Sequence, residues 1–201
     1  QPAWLAKASE QASSLLSSPR PKARFHASDM ILQADSDAAF QPRPKGRSRA
    51  GGCRCLGSKS NGMLSAPILA APKVAKGAMG SAAEAEVGDL LMSAQLAAPA
   101  RAALEELGWP QPPAPAKAGS AAASGIINGT AKQQRSKAID AQFYWLKDRV
   151  EQGQFKIFWE PGDESWAGYF TKHHPPSHHA KAARPACLEG TSSPSGLQGC
   201  A

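Results

Sequence analysis

Apolar and polar positions alternate near the start of the chain, which predicts a β-strand within residues 24–40. Its apolar positions share one face, and its polar positions share the other: Gln33, Asp35 and Asp37. A basic turn at residues 41–52 leads to a second predicted strand around Cys53–Leu56, and a third is predicted near Ile68–Val74. Three consecutive short strands predict an antiparallel meander.

Apolar residues at helical spacing predict the elements that follow. A helix over residues 81–95 begins at Ser81, which forms a capping box with Glu84. Pro99 predicts a break, with a second helix at residues 100–108. The Pro-rich residues 109–119 are predicted to form an extended linker that leads into an edge strand. The remaining predicted elements are a short helix ending near Gly129, a helix at 136–153, a strand at 154–162 and a helix at 164–172.

This order of elements predicts an α/β fold in which helices cover a mixed sheet, with the three-strand meander followed by further parallel strands. The 201 residues suffice for one domain plus tails. We expect the domain at residues 21–172, an N-terminal remnant or linker at 1–20, and a disordered His/Pro/Ser-rich tail at 173–201. Much of the apolar content is alanine, and aromatic residues make up only 6%, so a thin core is expected.

The net charge of +7 favours a polyanionic partner, with nucleic acid first and an anionic membrane surface second. Two basic stretches are candidates for contacts with a phosphate backbone: Arg43, Lys45, Arg47, Arg49 and Arg54, and Lys132, Arg135 and Lys137. The alternative, weighed equally, is that these side chains form a solubilising basic face.

Membrane insertion and secretion are not expected. No apolar run approaches the roughly 20 residues that span a bilayer, and the N-terminus lacks the apolar stretch of a secretion signal. The four cysteines form no recognised disulfide framework and are interpreted as reduced thiols. We therefore expect an intracellular protein, cytoplasmic or nuclear.

Acidic residues on separate elements are the candidate catalytic and metal-binding groups. Asp37 lies in the first strand, Glu86 in the first turns of a helix, and Asp140 at the head of a later helix. Carboxylates that converge repel one another unless a cation lies among them, so such a cluster predicts Mg²⁺ or Mn²⁺. Alternatives remain: Asp35 shares the strand face of Asp37, and Asp140 can simply favour the positive end of its helix.

Several colinear stretches resemble the ribonuclease H domain of copia-type retrotransposon polyproteins. They are "FHASDMILQADSDAAF", "GRSRAGG", "LGSKSNG", "SAAEAEVG", "LEELGWPQPP", "SGIING", "QRSKAIDAQFYWLKDRVEQGQFKIFW" and "YFTKHHPPSHH". The resemblance implies a ribonuclease H-like fold, two-metal cleavage of RNA in RNA–DNA hybrids, and ancestral reverse transcriptase and integrase segments in the same polyprotein. It also implies that Asp37, Glu86 and Asp140 are the first, second and fourth catalytic acids.

The chain departs from the family at three places that bear on activity. Gly119–Ser120 stands where the family has Asp–Asn, Trp166-Ala167-Gly168 where it has Leu-Ala-Asp, and Arg54 at an aliphatic or aromatic strand position. We therefore expect impaired catalysis. The alternatives are a basic remnant that only binds nucleic acid, and a product that folds poorly.

Two further groups of side chains receive structural interpretations. The spacing of the tail histidines does not match a zinc finger, and zinc is therefore not expected at His173, His174, His178, His179 and Cys187. Cys53 and Cys55 share one strand face, where packing is the expected role.

Overall fold

The computed structural model describes residues 22–23, 25–58, 65–131, 137–160, 166–172 and 188–189. The chain divides into a larger unit, His26–His173, and a smaller unit formed by Gln1–Phe25 and His174–Ala201. In the smaller unit, β1 (Lys22–Ala23) pairs antiparallel with β8 (Leu188–Glu189). The predicted N-terminal remnant and the tail histidines lie outside the described residues.

A six-stranded mixed sheet forms the centre of the larger unit. Its strands are β2 (Ile31–Arg43), β3 (Arg47–Gly57), β4 (Leu69–Ala70), β5 (Lys73–Ala78), β6 (Ala114–Lys117) and β7 (Phe155–Phe158). The order is β4-β3-β2-β6-β7, and β5 also pairs with β3. β2, β3, β4 and β5 form antiparallel pairs, whereas β2, β6 and β7 run parallel. The predicted fold class is therefore confirmed.

In the described part of the chain, four helices accompany the sheet: α1 (Ala82–Glu106), α2 (Ala121–Ile127), α3 (Lys137–Glu151) and α4 (Trp166–Thr171). α1 packs on β2 and β3, α3 packs on α1, α2 and β7, and α4 packs on β2 and β3. The core between sheet and helices includes Leu32, Val87, Leu90, Leu146 and Phe155. Many of its other members are alanines, as the composition predicts. No helix among the described residues combines the length and apolar character needed to cross a membrane.

The hairpin of β2 and β3 is longer than predicted. Most of the predicted turn at residues 41–52 is strand, and the connection narrows to the three-residue 3₁₀ turn Pro44–Gly46. Lys45 and Gly46 both have positive φ, 64° and 61°, which lets two long antiparallel strands join over so few residues. This part of β3 contains small residues, among them Gly51 and Gly52, because helices pack closely on both faces of the strand and leave no room for larger side chains.

The start of α1 was predicted correctly, and its end was not. Ser81 Oγ accepts the N–H of Glu84 at 3.1 Å, which confirms the cap, although the Glu84 carboxylate accepts the N–H of Gly80 rather than that of Ser81. Pro99 was expected to separate two helices but lies inside one. The buried face continues past it, since Ala97 and Leu104 are both buried, and this burial outweighs the hydrogen bond that proline cannot donate.

The strand predicted at a sheet edge is an interior strand. β6 lies between β2 and β7. Ala114 and Ala118 donate their N–H groups toward β7. Alternation along the strand therefore places the missing N–H of Pro115 on the β2 side, where pairing begins only at Ala116. Proline is tolerated in this interior strand because it removes no ladder hydrogen bond.

Candidate active site

Two of the predicted acids, Asp37 and Glu86, are brought together. Asp37 lies on β2 and is 6% exposed, and Glu86 lies in the second turn of α1. Burial, followed by the negative charge of Asp37, raises the pKa of Glu86 to about 7. A hydrogen bond from the backbone of Ala38 and the positive charge of Lys172 oppose this rise. Glu86 Oε2 is buried and has no hydrogen-bond partner. This close pair of carboxylates is the centre of the candidate site.

Gly119 lies beside both carboxylates. β6 runs parallel to β2 with Lys117 opposite Asp35, and two residues further along Gly119 comes level with Asp37. A Cβ atom at Gly119 would lie 2.4 Å from Glu86 Oε2 and 3.0 Å from Asp37 Cα. The position at which the sequence lacks an acid therefore borders the acid pair, and the Glu86 carboxylate extends into the space that a side chain there would need.

The other side of Asp37 is covered by α4. The hydroxyl of Thr171 donates to Asp37 Oδ2, and Lys172 Nζ lies 3.8 Å from the same oxygen. Gly168 precedes Thr171 by three residues, so a side chain at 168 would share the helix face that contacts Asp37. The second departure from the family motif therefore also lies next to the acid pair.

The close approach of α4 depends on Gly51, which is paired with Asp37 on β3. A Cβ atom at Gly51 would lie 2.7 Å from Thr171 Cγ2 and 2.9 Å from the carbonyl oxygen of Ala167. Asp35, the alternative first acid, accepts the N–H of Ala167 at 3.2 Å. Asp35 therefore holds the start of α4, whereas the charge of Asp37 is the one that acts on Glu86.

Sequence analysis missed Asp89, which lies one helical turn after Glu86. Asp89 is 2% exposed, and both of its carboxylate oxygens are buried. Burial, and then the charges of Glu86 and Asp37, raise the pKa of Asp89 well above its usual value. The positive charge of Arg54 and a hydrogen bond from the backbone of Asp37 oppose this rise. The available signal was its spacing of three residues from Glu86, which places both side chains on neighbouring parts of one helix face.

Arg54 was predicted among the phosphate-contacting residues, and this prediction was wrong. Its side chain points from β3 toward α1 and is 0% exposed. It donates to the carbonyl oxygen of Ser93 at 3.0 Å and to Ser93 Oγ at 3.1 Å. Burial lowers the pKa of Arg54, and Cys53 and Asp89 oppose this shift. Arg54 faces the core because it is opposite Ala34, whose side chain packs under α1.

The remaining predicted residues fall into two groups. Arg43, Lys45 and Arg47 are exposed at the hairpin tip, and Arg49 is half-buried. Lys132 and Arg135 lie outside the described residues, and of Lys137 and Asp140 only the helical backbone of α3 is described. α4 packs on β2 beside Asp37, whereas α3 packs on α1, α2 and β7. The assignment of Asp140 as the fourth acid stays a prediction.

The described side chains do not fit a pair of Mg²⁺ ions. Among them, no three His, Cys, Asp or Glu residues converge as a metal-binding group. Asp37 Oδ2 is already contacted by the Thr171 hydroxyl and the Lys172 ammonium. Glu86 Oε2 is the one oxygen of the pair that is buried without a partner. Two bridged ions require more carboxylate oxygens than this pair supplies.

Comparison with known proteins identifies the fold. The N-terminal RNase H domain of a Mycobacterium tuberculosis protein, solved as a fusion with maltose-binding protein, superposes with a TM-score of 0.50 and 13% identity, over 77% of this chain and 96% of that chain. RNase H1 from Halobacterium salinarum matches with a TM-score of 0.40 and 15% identity, over 65% of this chain and 86% of that chain. The protease–reverse transcriptase of prototype foamy virus matches with a TM-score of 0.38 and 14% identity, over 78% of this chain and 20% of that chain.

No protein-family model matches the sequence, and no curated protein matches it either. The similarity to solved structures, carried by the mycobacterial domain, establishes a ribonuclease H-like fold.

Proposed function

We propose that this chain is the ribonuclease H-type domain of a copia-type retrotransposon polyprotein, and that it binds RNA–DNA hybrids but cleaves them poorly. Its ancestral chemistry is two-metal hydrolysis of the RNA strand, within a product that also carried reverse transcriptase and integrase segments. Its place of action is the cytoplasm or nucleus. The observation that carries the proposal is the position of Gly119, whose Cβ would lie within 3.0 Å of both Glu86 Oε2 and Asp37 Cα.

The loss of one carboxylate is sufficient to suppress catalysis. In two-metal hydrolysis the ions activate a water molecule and stabilise the leaving oxygen, and the carboxylates hold the ions in place. A carboxylate contributes several kcal/mol of attraction to a divalent ion at an effective dielectric of about 20. A net loss of ~4 kcal/mol corresponds to roughly a thousandfold in rate or metal occupancy.

Gly168 is proposed as a second position of the same site at which a catalytic carboxylate is absent. The family resemblance places an Asp at this position, and α4 lies directly against Asp37. Under this proposal the Lys172 ammonium, 3.8 Å from Asp37 Oδ2, supplies part of the positive charge that a metal ion supplies in an active site. Asp140 is retained as the other candidate for the fourth acid, and substitutions at 168 and 140 distinguish the two.

Restoring the third acid tests the proposal. Gly119→Asp is expected to increase Mn²⁺-dependent cleavage of the RNA strand of a hybrid at least tenfold over the unaltered protein, because the new carboxylate and Glu86 can turn toward a shared ion. Gly119→Ala is the matched control, since it also displaces the Glu86 carboxylate but adds no charge. Cleavage by the unaltered protein as fast as by Gly119→Asp would contradict impaired catalysis.

The assignment of the fourth acid is tested in the Gly119→Asp background. If position 168 is that of the fourth acid, adding Gly168→Asp is expected to increase cleavage further, and Asp140→Asn is expected to leave cleavage unchanged. The opposite pattern assigns the role to Asp140. A cooperative thermal transition by circular dichroism, measured first for each protein, excludes the alternative that the chain does not fold.

A further inference from the structure

α4 packs on β2, and acidic side chains of that strand contact both of its ends. Asp35 Oδ2 accepts the N–H of Ala167, at the start of the helix, at 3.2 Å. Asp37 Oδ2 accepts the hydroxyl of Thr171, at the end of the helix, and Lys172 Nζ lies 3.8 Å from the same oxygen. Two carboxylates from one strand therefore hold one short helix.

The spacing of these contacts matches along the two elements. Asp35 and Asp37 are two residues apart on β2, so they share one face of the strand and are separated by about 7 Å. Ala167 and Thr171 are four residues apart on α4, which places them on one face of the helix with a rise of about 6 Å between them. Each carboxylate can therefore reach its own partner without distortion of either element.

α4 also lies too close to the strands to leave room for a hydrated ion at Asp37. Gly51 is paired with Asp37 on β3, and a Cβ atom there would lie 2.9 Å from the carbonyl oxygen of Ala167. Asp37 is 6% exposed, and Thr171 is buried against it. Mg²⁺ usually keeps several of its water ligands in protein sites. An ion with these waters has space at Asp37 Oδ2 only when α4 moves away.

The charge that follows α4 acts in the same direction. A divalent ion bound to Asp37 Oδ2 would lie close to the Lys172 ammonium, and the two positive charges would repel each other. The ammonium and the Thr171 hydroxyl instead satisfy this oxygen from within the chain. The mismatch between these side chains and a pair of Mg²⁺ ions therefore has a structural cause, which is the position of α4.

We propose that the acidic face of β2 anchors α4 in this chain, and that the docked helix excludes divalent ions from Asp37. Thr171 and Lys172 occupy the oxygen that a metal ion would bind. This inference rests on the proposed function, because it concerns the same acid pair, and it adds a second cause of poor cleavage to the missing carboxylate at Gly119.

Thermal unfolding of the full chain with and without Mg²⁺ tests the exclusion in the absence of nucleic acid. Mg²⁺ is the probe because it prefers oxygen ligands and is a poor match for the tail histidines. In about 20 mM MgCl₂, compared with NaCl of equal ionic strength, the Tm of the unaltered protein is expected to change by less than about 2 °C. Lys172→Met removes the competing ammonium, and Mg²⁺ is expected to raise its Tm by at least about 2 °C.

Lys156→Met is the matched control, because it removes an exposed lysine from β7, away from α4. It is expected to show the same small response to Mg²⁺ as the unaltered protein. The Lys172 side chain is 61% exposed, so its replacement leaves the core intact. A response of the unaltered protein as large as that expected for Lys172→Met would overturn the exclusion, and so would equal responses of the two lysine variants.

Amide hydrogen exchange tests whether Asp37 holds α4. Asp37→Ala removes the acceptor of the Thr171 hydroxyl and the charge that faces Lys172, so exchange in α4 is expected to become at least tenfold faster while exchange in α2 is unchanged. Asp148→Ala, at an exposed position of α3, is the control and is expected to alter neither helix. If Asp37 only repelled Glu86, its removal would leave exchange in α4 unchanged or slower, and that result would refute the anchoring role.

Neither experiment contains a hybrid or measures cleavage. Binding of Mg²⁺ by the unaltered protein would refute the exclusion and leave the tests of hybrid binding and of Gly119→Asp standing. Failure of Gly119→Asp to increase cleavage would leave the docking of α4 on Asp35 and Asp37 standing.

Discussion

At the scale of single residues, the acid pair makes stability depend on pH. The pKa of Glu86 rises from 4.5 to about 7 on folding, so the unfolded chain releases this proton first as the pH increases. Stability from this group is complete below pH 4.5 and is lost by about pH 7, a change of roughly 3 kcal/mol. Glu86→Gln cannot ionise and is expected to be the more stable protein at pH 8, while the difference shrinks toward pH 5.

Urea unfolding at pH 5, 6, 7 and 8 measures this effect. Glu106→Gln is the matched control, because Glu106 is an exposed glutamate near the end of the same helix. Asp89 titrates in the same direction and remains in every variant, so some pH dependence is expected to persist. Equal slopes for Glu86→Gln and Glu106→Gln would show that Glu86 is not the responsible group.

Arg54 and Asp89 form a second residue-scale unit, a pair of buried opposite charges without direct contact. Each shifts the pKa of the other toward its charged form. Replacing both charges with apolar side chains removes two desolvation costs, whereas replacing one leaves the other uncompensated. The double variant Arg54→Met/Asp89→Leu is therefore expected to be more stable than either single variant, with a coupling energy of about 1–2 kcal/mol.

A double-mutant cycle in urea measures this coupling energy. Simple additivity of the two single substitutions would mean that the hydrogen bonds from Arg54 to Ser93 and Gly52 hold its side chain in place, and that Asp89 contributes nothing to keeping it buried.

At the scale of elements, α1 contains a correctable defect. Pro99 is exposed within this helix and cannot donate the hydrogen bond that the Gln95 carbonyl would accept. Pro99→Ala is expected to raise the free energy of unfolding by about 1–2 kcal/mol, after allowance for the greater entropy of the unfolded alanine chain. Pro72→Ala, at an exposed position between β4 and β5, lacks the helical context and is expected to give no gain. A gain at position 72 equal to that at 99 would exclude the helix as the cause.

Local sequence patterns predicted the elements that depend on local physics. Ser81 and Glu84 predicted the start of α1, and Phe155 and Ile157 predicted β7 by alternation and are buried in it. Local rules failed where tertiary contacts decide the outcome. Pro99 is kept inside a helix by the buried face on either side of it, and Pro115 is kept inside a sheet by strand pairing that begins one residue later.

The placement of some candidate residues was predictable to a similar degree, and their catalytic roles stay predictions. The position of Gly119 beside Asp37 and Glu86 agrees with its place in the motif, because both depend on the order of strands in the fold. The burial of Asp89 and Arg54 was not predictable from local patterns, because charged residues are usually exposed and the sequence does not show which strand face a helix will cover.

At the scale of the whole molecule, cations and acids are separated along β2. Arg43, Lys45 and Arg47 are exposed at the hairpin tip, and Asp37 lies six residues before Arg43, about 20 Å along the strand. A nucleic-acid backbone bound at the hairpin tip can therefore run along β2 toward the acid pair, and its binding at the tip does not depend on contact with Asp37 or Glu86. Under the proposed function, this arrangement predicts binding that is sensitive to salt and insensitive to base sequence.

Hybrid affinity measured over a range of salt concentrations tests this arrangement. The double variant Arg43→Gln/Arg47→Gln is expected to lower the slope of log K against log salt by about 2 units, because two phosphate contacts no longer release counterions. Lys147→Gln/Lys156→Gln removes two exposed cations from α3 and β7 and is expected to retain the original slope. If both double variants reduce the slope equally, affinity reflects the total charge of +7 rather than the hairpin. A selective loss at the hairpin would instead assign nucleic-acid binding to one end of the sheet and show that it persists where the carboxylate cluster is incomplete.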